Sequence, residues 1–282
     1  MPLNLDAVGT VTDPAEMSWD STDAILYALG VGAGTDELPF VTENSIDVDQ
    51  KVFPTMAVVL MAMGGGGGMA GLGDFNWAML VHGEQGVRLH QPIPVHGTLS
   101  STTEITGIFD KGKGALVVMA TKAKDAATGD PLFDTTMSAF IRGEGGFGGD
   151  RGPSGPQNVP PERAPDHSVT YATRPDQALI YRLSGDRNPL HSDPQFAALA
   201  GFDRPILHGL CTFGFTGRAL LHTLCDSQPS RFTSMDGRFS SPVFPGESLT
   251  VNMWVDGDEA IFQTTGDDGR VVLDAGKCEF TA

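Results

Sequence analysis

Apolar and polar residues alternate along several stretches near the C-terminus, as they do in strands buried on one face. In SLTVNMWV the side chains of Leu249, Val251, Met253 and Val255 occupy every second position, which places them on one face of an extended chain. The segments EAIFQTT and RVVLDAGKCEF follow turns rich in Gly and Asp and predict two further strands. This part of the chain is therefore expected to form an antiparallel sheet.

Two helical patterns come before these strands. SDPQFAALAGF places Asp193 at an N-cap, Pro194 at the first helical position and Gly201 at the stop, which predicts a short helix. The longer segment HGLCTFGFTGRALLHTL carries apolar residues at helical spacing, and Gly214 and Gly217 keep that helix slim enough for close packing. A buried helix followed by antiparallel strands indicates an α+β unit whose sheet curls over the helix.

The N-terminal half repeats the strand patterns but not the long helix. HGTLSSTTEITGIFD, ALVVMATKAKD and PLFDTTMSAFIRG predict three strands. Where the other half has its long helix, this half has FPTMAVVLMAMGGGGGMAGLGDF. Each glycine of the run at 64–68 would cost about 1 kcal/mol in a helix, so we expect the central helix to be lost or replaced by a loop. Its loss would leave room for a ligand beside the sheet.

Short matches between the halves suggest a duplicated domain. Arg88 and Pro92 match Arg238 and Pro242 at an offset of 150 residues (92 to 242). AILYALG in the first half also parallels ALIYRLSG in the second. A repeat of this length predicts a duplicated domain, because the repeats of solenoids are only about 20–50 residues long. Chance agreement between turn residues is the alternative explanation.

A segment dense in Gly, Pro and charged residues separates the two halves. It runs GEGGFGGDRGPSGPQNVPPERAPDHS and has almost no apolar residue to bury, a composition typical of a linker that is partly flexible and partly polyproline-like. We therefore predict an N-terminal domain at 1–142, a linker at 143–170 and a C-terminal domain at 171–282.

The composition limits the classes of function. The chain has 282 residues, of which 40% are apolar, enough to build a buried core. Its 18 basic and 35 acidic residues give a net charge of −17, which argues against nucleic-acid binding because phosphates attract a basic face. A basic island of four lysines could nevertheless meet the phosphates of a small ligand: Lys111, Lys113, Lys122 and Lys124. The last two share one strand face, and we expect them to form solvated surface.

Cysteine use and hydropathy indicate a reduced, cytoplasmic protein. Cys211, Cys225 and Cys278 lie in apolar surroundings without a C-x-x-C motif, which favours free thiols over disulfides or zinc ligands. The start, MPLNLDAVGT, has no signal-peptide pattern, and the longest apolar run, at 56–63, is far shorter than the roughly 20 residues of a membrane helix. We expect no membrane contact. The final CEFTA is not a peroxisomal Ser-Lys-Leu signal, which favours a bacterial cytoplasm.

The densest polar cluster of the C-terminal half is SGDRNPLHSD. Asp186, Asn188 and His191 lie within six positions, and Gly185 and Pro189 prevent a regular helix there. Such a turn can direct a carboxylate, an amide and an imidazole at one point, where they could hold a water and exchange protons near neutral pH. An Asx-turn with a surface histidine is the alternative.

Recognisable motifs surround this turn. YRLSGDRNPLH followed by PILHG closely resembles the signature of the MaoC-like, (R)-specific enoyl-CoA hydratases of the hydratase 2 type. LVHGEQ and FDKGKGA in the first half also resemble segments of the two-domain members of that family. The resemblance implies a double hot-dog fold, in which each curved antiparallel sheet wraps a helix, the central helix is reduced in the first half and only the second half carries the catalytic motif. AILYALGVGAGTDELPF agrees, because no Asp-x-Asn-Pro-x-His follows its tyrosine.

The resemblance also implies roles for individual residues. Asp186 and His191 would hold and activate a water, Asn188 would orient them, and the Gly209 N–H would support the thioester oxygen. The last role suits a residue that opens a helix, where free N–H groups meet the positive end of the dipole. Residues expected to contact the substrate or its CoA are His82, Gly83, Lys111, Arg187, Pro189, Leu190 and Phe239. Simple helix-start geometry for Gly209, a strand-end histidine for His82 and a core aromatic for Phe239 are the alternatives.

The expected reaction is the reversible hydration of trans-2-enoyl-CoA to (3R)-3-hydroxyacyl-CoA, in fatty-acid or steroid side-chain β-oxidation. No cofactor is expected beyond the CoA of the substrate, and no metal site, because the histidines are scattered without ligand spacing. The alternatives are an acyl-CoA thioesterase and a non-catalytic protein that binds acyl-CoA or acyl carriers. The family further implies a homodimer, and the glycine-rich loop favours a pocket for long, branched or steroidal acyl groups.

Overall fold

In the computed structural model, which describes residues 3–63, 69, 71–155 and 157–281, ten antiparallel strands form one sheet. The strands are β1 (Ala15–Trp19), β2 (Leu80–Leu89), β3 (Gly97–Asp110), β4 (Gly114–Asp125), β5 (Pro131–Arg142), β6 (His167–Ala172), β7 (Phe232–Phe239), β8 (Ser248–Asp256), β9 (Glu259–Thr265) and β10 (Val271–Phe280). The helices are α1 (Ser21–Gly30), α2 (Leu38–Val41), α3 (Ala57–Met63), α4 (Gln177–Tyr181), α5 (Pro194–Leu199) and α6 (Gly209–Leu224).

The order of the strands repeats outward from the middle of the sheet. It runs β1-β3-β4-β5-β2-β7-β10-β9-β8-β6, so that each half contributes five strands in equivalent order. At the centre, β2 pairs with β7 and Gly86 lies opposite Asp236, two positions separated by the 150-residue offset of the repeat. The pairing is a pseudo-two-fold relation between the halves, and it confirms the predicted α+β double hot-dog fold.

The strands and the long helix predicted for the C-terminal half are present. Leu249, Val251 and Met253 of β8 are fully buried, as their alternation required. Helix α6 is buried along almost its whole length. A Cβ on Gly214 would lie 2.4 Å from Cγ1 of Val31, so the helix does depend on a missing side chain for its close contact with the first half.

The first half retains a short remnant of its central helix. A 3-10 turn at Pro54–Met56 leads directly into the seven residues of α3, and Ala57 and Leu60 are fully buried. A helix is therefore present here, in agreement with a reduced central helix rather than with its complete loss, because the apolar run before the glycines is long enough for two turns. The glycine run at 64–68 lies outside the described residues.

The boundary of the linker differs from the prediction. Residues 167–170, assigned above to the linker, belong to β6 and pair with β8, because SVTY has the alternation and β-branched residues of a strand. Asp110 accepts backbone N–H bonds from Gly146 (2.8 Å) and Gly148 (2.7 Å). The early part of the predicted linker is thus fastened to the turn between β3 and β4.

Two further expectations concern the environment of the chain. Cys211, Cys225 and Cys278 are buried, unpaired thiols. Within the described ranges, no helix combines the length and the apolar character needed to cross a membrane.

Candidate active site

The polar turn predicted at 184–193 links α4 to α5. It begins at Gly185, whose φ of 124° lies in a region that residues with a side chain rarely adopt. Oδ1 of Asp186 accepts the backbone N–H of Asn188 at 3.0 Å, and Oδ1 of Asn188 accepts that of Leu190 at 3.0 Å. Asn188 thus holds the Asp186 carboxylate through its main chain and starts the 3-10 turn that carries His191. The Asx-turn given above as the alternative is therefore present, but His191 is buried and is not a surface histidine. The orienting role of Asn188 stays a prediction.

His191 is held as a neutral base. Its Nδ1 lies 2.9 Å from the carbonyl oxygen of Ile206. Because a carbonyl only accepts, Nδ1 must carry the hydrogen, and the lone pair of Nε2 is left to accept a proton. Burial lowers the pKa of His191 below its usual value, against opposing effects of the Ile206 hydrogen bond and the Asp186 charge. The imidazole is therefore uncharged at neutral pH.

His208, which the sequence analysis did not single out, completes this cluster. It is only 1% exposed, and its Nε2 lies 3.2 Å from the carbonyl oxygen of Asp186. Its ring stacks on that of His191 with 3.8 Å between the centroids. Burial, followed by the neighbouring His191, lowers the pKa of His208 to about 4. Its place next to Gly209 in the PILHG motif was the available signal.

Gly209 opens α6 directly after His208. The first N–H groups of a helix have no carbonyl one turn earlier to bond, so they are free to bind a negative charge. A Cβ on Gly209 would lie 3.2 Å from the ring of Phe239 on β7. The structure thus brings Phe239 against the start of the helix, as the predicted site requires, while the ring also packs against the core.

The N-terminal half contributes His82 from β2. Its ring meets Phe239 edge-on at 4.9 Å between centroids, and its Nε2 lies 3.1 Å from the carbonyl oxygen of Glu84. Burial lowers the pKa of His82 to about 4, and the nearby Asp186 charge opposes that effect. The strand has an irregular register between His82 and Glu84, and a Cβ on Gly83 would lie 2.8 Å from Oγ of Ser138. Gly83 is therefore needed for packing within the sheet.

The remaining predicted residues lie at the edge of the site or away from it. Arg187 and Pro189 are exposed on the polar turn, and Leu190 is half-buried. Nζ of Lys111 donates to the carbonyl oxygen of Pro153 at 2.9 Å, so the described contacts tie this lysine to the linker and not to the polar turn. Two other lysines of the basic island, Lys122 and Lys124, are exposed on β4 as expected.

Three side chains of the site could in principle share a cation. Asp186, His191 and His208 each place one possible ligand atom within 4.8 Å of the others. One nitrogen of each imidazole is already directed at a carbonyl, which leaves one free nitrogen on each ring. The expectation that the site works without a metal stays a prediction.

The arrangement combines two chemical capabilities. A carboxylate and a neutral imidazole lie close enough to bind one water and exchange its protons. The start of α6 offers N–H groups and the positive end of a helix dipole to an oxygen that becomes negative. These are the elements needed to add water to a double bond activated by a carbonyl group.

Comparisons with known proteins agree with this geometry. Residues 17–143 match the model of the MFE-2 hydratase 2 N-terminal domain, and residues 157–275 match that of the MaoC-like domain. The chain is 49% identical to 3-hydroxyacyl-thioester dehydratase Y of Mycobacterium tuberculosis, with 100% of both chains covered. It is 43% identical to enoyl-CoA hydratase ChsH3 of the same organism, with 97% of each covered. A crystal structure of a MaoC-like dehydratase from Phytophthora capsici superposes with a TM-score of 0.89 at 34% identity, covering 99% of this chain and 98% of the other.

Proposed function

This chain belongs to the family of MaoC-like proteins of the hydratase 2 type, and from that premise we propose that it hydrates trans-2-enoyl-CoA reversibly to (3R)-3-hydroxyacyl-CoA. The proposal depends chiefly on one observation: a carboxylate and a neutral imidazole lie together beside the start of α6. Asp186 and His191 supply the proton chemistry, and Gly209 supplies the N–H. The chain acts as a hydro-lyase.

Each step of the proposed reaction uses these groups. The thioester oxygen accepts the N–H of Gly209, which draws electrons from the double bond and makes C3 electrophilic. The oxygen of a water held between Asp186 and His191 forms a bond to C3, and the pair takes up the proton that this water loses. The electrons of the double bond move to C2, which receives a proton from the same pair on the same face. Asp186 and His191 act together in taking up and returning this proton.

The acyl pocket is proposed to accept long, branched or steroidal chains. Five consecutive glycines follow Met63 in the sequence, where the counterpart α6 has sixteen helical residues, and each glycine would cost about 1 kcal/mol in a helix. This composition supports a wider space along the first-half sheet than along the second. Turnover restricted to four-carbon substrates would contradict this part of the proposal.

We extend the proposal to the setting of the enzyme. Two relatives matched over nearly their whole length are bacterial, which supports a bacterial cytoplasm. A homodimer of double hot-dogs, with CoA bound only as part of the substrate, is also proposed. Light scattering on the purified chain gives the mass that tests the dimer.

The first experiment follows the loss of enoyl-thioester absorbance with crotonyl-CoA and with a steroidal enoyl-CoA. The product is then offered to an (R)-specific and an (S)-specific 3-hydroxyacyl-CoA dehydrogenase. Oxidation by the (R)-specific enzyme alone supports the proposal. Release of free CoA thiol without hydration would indicate a thioesterase instead, and binding without turnover would indicate an acyl-CoA binding protein.

Replacing the proposed catalytic pair gives the first mutational prediction. Asp186→Asn and His191→Ala should each lower kcat about 100-fold or more, because proton transfer to and from a positioned group contributes roughly that much. Asp193→Asn is the matched control, since Asp193 caps α5 and asparagine caps equally well; its kcat should not change. A loss of less than tenfold in both site variants would refute the mechanism.

A further inference from the structure

His208 contacts both members of the proposed catalytic pair. Its Nε2 donates to the carbonyl oxygen of Asp186 at 3.2 Å, and its ring stacks on His191 at 3.8 Å with 30° between the planes. It also precedes Gly209, the residue whose N–H is proposed to bind the thioester oxygen. One side chain therefore links the carboxylate, the imidazole and the helix start.

The surroundings of His208 leave its ring little freedom. It is 1% exposed and packs against a second ring, that of Tyr181, at 5.0 Å between centroids. Nε2 carries its hydrogen because the Asp186 carbonyl only accepts, and Nδ1 has no hydrogen-bond partner among the described contacts. A buried nitrogen without a hydrogen-bond partner lowers the stability of the fold. A phenylalanine of similar shape would avoid that cost, so packing alone does not account for a histidine.

We propose that His208 is a positioning residue of the hydration reaction, which acts through Asp186 and His191 by fixing both relative to the N–H of Gly209. The inference rests on the proposed function. His208 does not itself exchange a proton with the substrate. Its Nε2–H holds the main chain from which the Asp186 carboxylate projects, and its ring supports the face of His191.

Charge supports a neutral, non-transferring role for this ring. Burial, followed by His191 and then Arg182, lowers the pKa of His208 to about 4, and this shift is opposed by the Asp186 charge and by the hydrogen bond to the Asp186 carbonyl. When His191 takes up a proton during turnover, a second positive charge stacked on it would be strongly disfavoured. The proton is thus retained by the Asp186–His191 pair.

Three substitutions separate the two contacts of His208. His208→Phe keeps a ring against His191 without the donor, His208→Gln keeps an N–H donor without the ring, and His208→Ala removes both. We expect kcat with crotonyl-CoA to fall about tenfold in each of the first two and about 100-fold in the third, since small displacements of reacting groups have effects of that size. KM and the Kd for unreactive butyryl-CoA should stay within about twofold, because His208 does not touch the substrate.

His222→Phe is the matched control. His222 lies on the same helix, is also mostly buried and contacts the rings of Phe40 and Phe53, but it lies about 20 Å along α6 from Gly209 at 1.5 Å per residue. Its substitution should lower Tm and leave kcat unchanged. If kcat falls in proportion to Tm across all four variants, the loss of activity reflects lost stability, and a positioning role for His208 is contradicted.

Combining His208→Ala with Asp186→Asn tests whether one residue acts through the other. If it does, the double variant should be hardly slower than Asp186→Asn alone, because the pair that His208 positions is already disabled. If the losses in kcat of the two single variants multiply in the double variant, the inference is overturned. It is also overturned if His208→Phe and His208→Gln both have the kcat of the wild type. If His208→Ala does not fold, these two variants decide. Hydration by the wild-type chain is measured first: its absence refutes the proposed function, whereas its presence with unaffected variants refutes only the role of His208.

Discussion

Two main-chain carbonyls set the protonation of the stacked imidazoles at the residue scale. Ile206 faces Nδ1 of His191, whereas Asp186 faces Nε2 of His208. The two rings are therefore opposite tautomers, each with one bare nitrogen. In His191 the bare nitrogen is Nε2, which the proposed base needs. The tautomer is thus decided by the backbone of two loops and not by either side chain alone.

Burial of His191 predicts the acid side of the pH–rate profile. Because burial lowers its pKa, the neutral base persists below pH 6.5, the usual pKa of histidine. We expect kcat/KM with crotonyl-CoA to stay constant from pH 8 down to below 6.5 before it declines. The profile is measured by enoyl-thioester absorbance in buffers of constant ionic strength. A decline centred at or above pH 6.5 would contradict a buried neutral histidine as the base.

The sequence predicted the polar turn better than it predicted the rest of the site. Asp186, Asn188 and His191 lie within six residues, so turn-forming Gly185 and Pro189 were enough to bring them together. His208 was missed because both of its partners lie 17 and 22 residues earlier in the chain, and only the tertiary fold stacks the rings. Lys111 was placed by motif alone, and its hydrogen bond to Pro153 could not be seen from spacing.

At the scale of elements, α6 begins at the proposed reaction site and packs against the first half of the chain along its middle. Its first residue lies against Phe239, and its middle lies against α1 and the segment before α3. The strand alternation and the helical spacing of this half predicted its elements correctly, since each pattern is local. The start of β6 was misjudged because composition averages over a segment and does not locate where a strand begins.

Removing one N–H at the start of α6 tests the proposed oxyanion contact. Proline is well tolerated at the first helical position, and His208 before it has φ −58° and ψ 135°, which suits a residue that precedes proline. Gly209→Pro should therefore keep the helix and lower kcat about 100-fold or more. Gly209→Ala retains the N–H and makes a similar contact with Phe239, so it is the control and should lose much less. Equal kcat in the two variants would remove Gly209 from the mechanism.

The close packing of α6 predicts the effect of a single methyl group. A Cβ on Gly214 would lie 2.4 Å from Val31 and 2.8 Å from the Tyr27 hydroxyl, so Gly214→Ala should lower the free energy of unfolding by about 1–3 kcal/mol. Gly34→Ala is the control, because a Cβ there would meet no atom within 4 Å. Urea unfolding followed by fluorescence measures both. A Gly214 variant as stable as wild type would show that the helix can move aside.

For the whole molecule, a buried ion pair connects the two halves. Glu37 of the first half accepts hydrogen bonds from Nε and Nη2 of Arg218 at 2.8 and 2.5 Å, and its Oε1 lies 2.6 Å from Nε2 of His222. The Arg218 guanidinium also lies 3.9 Å from the centroid of the Tyr171 ring. Burial alone would raise the pKa of Glu37, but the hydrogen bonds from His222 and Arg218 outweigh it and lower the pKa to about 2.

This pair predicts an acid-dependent contribution to stability. A carboxylate with a depressed pKa stabilises the fold above its unfolded pKa, near 4.5, and loses that contribution as pH falls toward 2. Glu37→Gln should therefore destabilise the chain by about 3 kcal/mol at pH 7, and the difference from wild type should shrink between pH 4.5 and 2. Unfolding in urea at pH 7 and pH 3 measures it. Glu43→Gln, at an exposed position nearby, is the control; a deficit for Glu37→Gln that is independent of pH would contradict this account.

The pairing of Gly86 with Asp236 at the centre of the sheet has an evolutionary consequence. Two identical subunits arranged about such an axis would contain two equivalent reaction centres, whereas this chain has the polar turn in one half only. In a chain that joins two such units, a mutation in the first half leaves the polar turn of the second half unchanged. The first half can therefore differ in shape while the second keeps the chemistry, and a tight inhibitor should accordingly titrate one centre per chain.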